Sequence, residues 1–294
     1  MLELVLSPAS GQLSVHTPFL IRKGEEIIMF YSRADELPDD SGEKDKKKPK
    51  EKIYKIYYGI SKDGKNFKLN SEPIIEMNQS VCRPWIIKIE NEYKMFFVKA
   101  LPDKIARRYR ICCAESKDLE KWKINSQPVI DKFGKYEHIA SPCVVKHYDE
   151  YWMYLSAADK PTHNDKLFIG QSKDAKKFEI NPNPFYQPTP NTGYSESCYT
   201  PCVYEKDGQW NMLFSGMGNP SIGQQATRYT TFLASSSNGI QFSMGTPVIT
   251  LANDPRFVRG AYKAVIFEEY VYFVGGDSEG KTSIYRILNS ELPV

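Results

Sequence analysis

Two glutamates, a group of cations and several hydroxyls stand beside short landmarks that recur along the 294 residues. Glu137 lies in YEHIAS and Glu196 in YSESCYT. A partly buried Glu can hold the raised pKa that a general acid needs. His16, Arg83, His138, Arg259 and Lys263 fall at or near the same landmarks. Cations gathered in one place repel, so keeping them makes sense if an anion such as phosphate, a carboxylate or a nucleotide diphosphate sits between them. The plainer alternative pairs them with Glu137, Glu196 and Asp277 in a structural network. His16, His138, Glu137, Glu196 and Cys198 are acceptable metal ligands by type, but no ligand spacing links them, and neither a metal nor a cofactor is expected.

A repeat supplies the elements that bring these residues together. His16-Thr17-Pro18-Phe19 leads into EEIIMFYSRA, Arg83-Pro84-Trp85 into EYKMFFVKA, and Ser141-Pro142-Cys143 into EYWMYLSAAD. Thr200-Pro201-Cys202 leads into QWNMLFSGMG, and Arg259-Gly260-Ala261 into EYVYFVGGD. The landmark Pro or Gly falls at 18, 84, 142, 201 and 260, a spacing of about 60 residues that holds four strands and their turns. A third β-rich run follows in the first four repeats: KIYYGISKDGKNF, RICCAESKDLEKW, LFIGQSKDAKKF and TTFLASSSNGIQF. Each ends in Ser-x-Asp/Asn with an aromatic four residues later, a turn that shapes the sheet and returns a ring to the core.

The expected fold is all-β, with residues 1–294 forming a single five-bladed β-propeller. The fifth repeat stops at TSIYRILNSELPV without a fourth strand. Leu2 to Leu6 can supply it by pairing in the same blade as Ser283 to Leu288, which closes the ring and removes an exposed edge. Innermost strand starts and the loops between strands two and three then share one face. That places His16, Thr17, Cys82, Arg83, His138 to Ser141, Glu196 to Thr200 and Arg259 to Lys263 around a mouth. Arg33, Asp35, Lys99, Arg107, Arg108, Asp159, His163, Asn219, Arg228 and Asp277 ring it. The charged run Glu36 to Lys52 opens on the same face as a mobile solvated loop, positioned to fold over a bound anion as a lid or to contact a neighbouring subunit.

On these repeats, the x-x-Pro strand starts and the Ser-x-Asp turns, the chain resembles the five-bladed glycoside hydrolases of the arabinanase and β-xylosidase family and of the invertase and levansucrase families. The resemblance implies carbohydrate chemistry in the central channel. It also implies an Asp before the first-blade Pro and further carboxylates in later blades. Here Thr17, Ser141 and Thr200 occupy the matching positions, so the usual pair of carboxyl groups for glycoside hydrolysis is replaced. Glu196 and Glu137 are the relocated candidates for catalysis. His16, Thr17, Arg83, His138, Ser141, Tyr199, Arg259, Tyr262 and Lys263 are the candidates for substrate binding, with Tyr199 and Tyr262 as flat platforms for sugar rings. Some five-bladed relatives are phosphorylases that attack with bound phosphate and need one protein acid, which suits a site poor in carboxylates and rich in cations.

Bulk composition narrows the partners. With 41% hydrophobic and 13% aromatic residues the chain has material for a packed core. A net charge of +3 gives no ground for a nucleic-acid partner. No apolar run approaches the roughly 18 residues of a membrane span, and six cysteines without a CxxC pair fit reduced thiols in the cytoplasm. The expected protein is an enzyme acting on an anionic sugar, whether phosphorylated, acidic or nucleotide-linked. The alternative is a noncatalytic glycan-binding or scaffold propeller.

Overall fold

The computed structural model describes residues 1–35, 53–102, 108–159, 164–218, 229–250, 254 and 256–293. The insertion from Glu36 to Lys52, with its expected mobility and lid role, and Arg107, His163, Asn219 and Arg228 lie outside the described residues.

A short strand β1 (Glu3–Leu6) precedes four-stranded antiparallel units of one pattern, each with three long strands and a short fourth. The first unit is β2 (Gln12–Lys23), β3 (Glu26–Asp35), β4 (Ile53–Ser61) and β5 (Lys68–Leu69). The second is β6 (Val81–Ile89), β7 (Glu92–Ala100), β8 (Tyr109–Ser116) and β9 (Lys123–Ile124). The third is β10 (His138–His147), β11 (Glu150–Ala158), β12 (Lys166–Ser172) and β13 (Glu179–Ile180). Then come β14 (Ser197–Lys206), β15 (Gln209–Met217), β16 (Tyr229–Ser236) and β17 (Thr246–Ile249), followed by β18 (Gly260–Phe267), β19 (Tyr270–Gly276) and β20 (Thr282–Leu288). No α-helix occurs among the described residues, and no helix is long and apolar enough to cross a membrane.

Strands β14 to β20 and β1 form one eight-stranded sheet, because a single parallel pair, Tyr229 with Gly260, joins β16 to β18. Gly260 is needed there: its φ is +120°, and a Cβ would strike the Tyr229 carbonyl. The chain start completes the far edge of that sheet, with Glu3 facing Arg286 and Leu4 facing Tyr285. Arg286 Nε donates to Glu3 Oε2 at 2.6 Å, and Lys65 Nζ reaches Glu3 Oε1 at 2.7 Å, so β1, β20 and the turn after β4 meet at one carboxylate.

Core clusters lie between neighbouring units. One packs Phe30 and Ile56 of the first unit against Met95 and Phe97 of the second, and the next packs Phe96 and Ile111 against Met153 and Phe168. Others join Tyr154 to Phe214 and Leu213 to Phe273. A further cluster packs Val15, Met29 and Tyr57 of the first unit against Tyr272 and Ile284 of the last. The Ser-x-Asp turns hold these layers in register. Ser116 Oγ accepts from the Leu119 amide at 2.9 Å, while Asp118 Oδ1 accepts from the Glu120 and Lys121 amides at 2.9 and 2.8 Å. Ser61–Asp63, Ser172–Asp174 and Ser236–Asn238 repeat this geometry, and Phe67, Trp122, Phe178 and Phe242 pack against the clusters as expected.

Candidate functional site

Each innermost strand carries a bulge at the same depth. The register shifts fall at His16/Phe19, Cys82/Trp85, Ala140/Cys143, Tyr199/Cys202 and Tyr262/Val265. At each bulge one non-glycine residue takes positive φ: Thr17 (53°), Arg83 (58°), Ser141 (58°), Thr200 (48°) and Lys263 (55°). Such backbone is costly for these residue types, and bulges of this kind re-aim side chains. The re-aimed residues converge. A central cavity is lined by Thr17, Arg83, Ser141, Thr200 and Lys263 and, one step along each strand, by Pro18, Pro84, Pro142, Pro201 and Ala264, with Trp85 and Val265. This corrects the last repeat. Its equivalent of Pro18 is Ala264, and Arg259 stands exposed outside the cavity, beside Gly276 and Gly280.

Hydroxyls fasten the bulges to each other. Ser32 Oγ lies 2.6 Å from Thr17 Oγ1 and accepts from the Arg83 amide at 3.0 Å, linking the first unit to the second. Ser215 repeats the clip, bonding Thr200 Oγ1 and accepting from the Lys263 amide at 2.8 Å. Arg83 Nη1 donates to Ser141 Oγ at 2.6 Å, and its buried Nε has no hydrogen-bond partner. Among the described residues, neither Arg83 nor Lys263 is paired with a carboxylate. Burial, and then the nearby Arg83, lower the Lys263 pKa to about 7.

Above the bulges the walls are aromatic. His16 lies 4.4 Å from the Tyr54 ring, Tyr109 lies 4.9 Å from His138, and the Arg83 guanidinium is 5.9 Å from Tyr109. Tyr262 lies 5.2 Å from Tyr229 and 5.2 Å from Lys263 Nζ, and Tyr199 meets Tyr229 edge-on at 6.2 Å. Burial pushes the Tyr199 and Tyr262 phenols well above the usual range, so both stay protonated donors. His16, Thr17, Arg83, His138, Ser141, Tyr199, Tyr262 and Lys263 are thus brought into one region.

The two glutamates are not. Glu137 is exposed and paired with Arg108 at 3.0 Å, and Glu196 is exposed, with its amide bonded to the Met217 carbonyl. Neither lines the central cavity. The outer charges largely satisfy one another. Arg33 pairs with Asp35, Lys135 with Asp159, and Asp277 accepts from the Lys281 amide. Lys99 lies on β7. Among the described residues no three His, Cys, Asp or Glu side chains come together as a metal site.

One carboxylate that the repeats did not single out borders this region, beside His138 and outside the lining of the central cavity. Ile56 opposes Ser32, and its equivalents Ile111, Leu167, Thr231 and Ile284 oppose Val98, Ser156, Ser215 and Val274. Two residues earlier stand Tyr54, Tyr109, Asp165, Tyr229 and Thr282. Asp165 occupies the third-unit place that wall tyrosines fill elsewhere. It is 9% exposed, accepts from Ser197 Oγ at 3.1 Å, and lies 3.6 Å from His138 Nε2. Lining up the residues ahead of the third runs would have exposed it in the sequence.

No family model matches the chain. It is similar to a 1,2-beta-oligomannan phosphorylase of Thermoanaerobacter sp., with 26% identity over 239 residues, 78% of this chain and 67% of that protein. Among solved structures it resembles the beta-1,2-mannobiose phosphorylase of Listeria innocua in complex with beta-1,2-mannobiose. The TM-score is 0.75 with 13% identity, covering 99% of this chain and 97% of the other. A structure from work on mannoside phosphorylases and hydrolases of the GH130 family superposes with a TM-score of 0.71 and 16% identity, covering 99% and 94%. At such identities these two likenesses concern the fold, which is that of propeller-type glycoside hydrolases and phosphorylases.

Proposed function

We propose that this chain is a five-bladed β-propeller, closed by β1, that cleaves a mannosidic bond in its central channel by phosphorolysis. Five bulges converging on one cavity, and a core cluster between the first and last units, support the closed five-fold reading. The observation that carries the chemistry is the pair Arg83 and Lys263: two cations at the axis, neither paired with a carboxylate among the described residues.

Such a pair suits a phosphate dianion. Arg83 offers its unpartnered Nε, Lys263 offers an ammonium that gains from a nearby negative charge, and Thr17, Ser141 and Thr200 add hydroxyls. Phosphate as nucleophile removes the need for a second catalytic carboxylate, which fits Thr17, Ser141 and Thr200 at the positions where arabinanase- and invertase-type sites use acids. The anion is then the co-substrate and the sugar is neutral, because the mannosides named for the similar proteins carry no charge. Tyr54, Tyr199, Tyr229 and Tyr262 supply faces and hydroxyls to the sugar. Six free, buried cysteines support placing the protein in the cytosol.

Titration of inorganic phosphate into the wild type and Arg83→Ala by calorimetry tests this. The loss of charge-assisted hydrogen bonds should weaken binding about 10- to 100-fold. Equal binding by both proteins would remove Arg83 from the anion site. Carbohydrate binding with no phosphate binding at all would favour a noncatalytic glycan-binding propeller.

A further inference from the structure

Resting on the phosphorolysis reading, we infer that Asp165, with His138 beside it, is the group that passes a proton to the departing sugar oxygen. The placement argues for it. Asp165 stands at the repeat position from which Tyr54, Tyr109 and Tyr229 form the walls of the mouth, so the fold aims this position at the ligand.

Asp165 is fixed through its backbone and by one hydroxyl on its carboxyl group. Its own amide donates to Ser197 Oγ at 3.1 Å, the Ser197 hydroxyl donates to Oδ2, and the Cys198 amide donates to the Asp165 carbonyl at 2.9 Å. Oδ1 is thereby turned toward His138 Nε2, 3.6 Å away. The groups facing the pair are Tyr109 on β8, packed on His138, and Cys198 and Tyr199 on β14. Tyr199 lies within electrostatic reach of both Asp165 and Arg83, and among the described residues Asp165 forms no ion pair with Arg83 or Lys263. By contrast Glu137 and Glu196 are exposed.

The step balances. A phosphate dianion oxygen bonds to the anomeric carbon as the carbon–oxygen bond to the leaving sugar breaks. The Asp165 proton moves to the leaving oxygen, giving a free sugar, a sugar 1-phosphate monoanion and an Asp165 carboxylate. The phosphate ester then releases its remaining proton, and the carboxylate regains one through His138.

The test is Asp165→Asn assayed on two β-mannosides with phosphate: a mannobiose, whose leaving sugar needs the proton, and a 2,4-dinitrophenyl mannoside, whose leaving group does not. Wild-type turnover with phosphate is read first, and its absence on both substrates would overturn the phosphorolysis reading and this assignment together. With wild type active, Asp165→Asn should lose about 10²- to 10⁴-fold on the mannobiose while staying within about tenfold on the aryl mannoside. Undiminished mannobiose turnover, or equal losses on both substrates with unchanged phosphate binding and melting temperature, would overturn the inference. Ser197→Ala, which frees the carboxyl without removing it, should give a smaller loss with the same leaving-group dependence, and no such dependence would count against the role.

Discussion

Replacing Lys263 by Met keeps much of the side-chain volume in the central cavity and removes its charge. In the free protein the Lys263 pKa falls from the ordinary 10.5 to about 7, first through burial and then through Arg83. The ammonium is therefore charged in both folded and unfolded chains below pH 7, where burying it is unfavourable. Between about pH 7 and 10.5 the unfolded chain binds more protons, so stability relative to the variant rises with pH through that window. At about 1.4 kcal/mol per pH unit the full difference is on the order of 5 kcal/mol. Urea unfolding of both proteins at pH 6, 8 and 9.5 reads it. Lys263→Met should be the more stable at pH 6 without anion, with the gap closing as pH rises, and the comparison cancels the titration of Tyr199 and Tyr262. Function should move the opposite way. Sulfate, which does not titrate in this range, should bind wild type about tenfold more weakly per pH unit above 7. It should bind Lys263→Met weakly and without pH dependence. A constant stability gap together with equal sulfate binding would refute an axial ammonium poised for an anion.

Glu3→Ala removes the carboxylate shared by Arg286 and Lys65, leaving the buried Arg286 with the Asp63 carbonyl but no counter-charge; urea unfolding should show a loss of about 2–3 kcal/mol. Ser116→Ala should lower stability by about 1–2 kcal/mol in the same assay, because the Asp118 and Leu119 amides lose their acceptor. Amide and hydroxyl bonds hold the Asp118 carboxyl down to about 2, so its contribution should persist above the unfolded value near 4 and fade only as pH drops toward 2, which acid titration by circular dichroism checks.

What was legible in the chain was what is local. Strand alternation, the Ser-x-Asp turns and the x-x-Pro bulges each depend on a few adjacent residues, and Thr17, Arg83, Ser141 and Thr200 all lie where the Pro landmarks put them. The last unit misled because no proline marks it. Its strand runs only Val265 to Phe267 from bulge to hairpin, against Trp85 to Ile89 in the second unit, so the repeat spacing points to Arg259 as well as Lys263, whereas only Lys263 lines the cavity. Sequence proximity points Glu137 and Glu196 inward, yet exposed positions before the innermost strands let their side chains face solvent. Asp165 escaped because it precedes its strand, and its significance comes from the tyrosines at the equivalent places in three other units.

Phosphorus NMR of the purified protein with β-1,2-mannobiose and inorganic phosphate tests the central claim most directly. The account predicts that the inorganic phosphate signal is replaced by that of mannose 1-phosphate, with one free mannose released per ester formed and none released when phosphate is omitted. Mannose release at the same rate without phosphate, or an unchanged spectrum from a folded protein that binds the disaccharide, would contradict it.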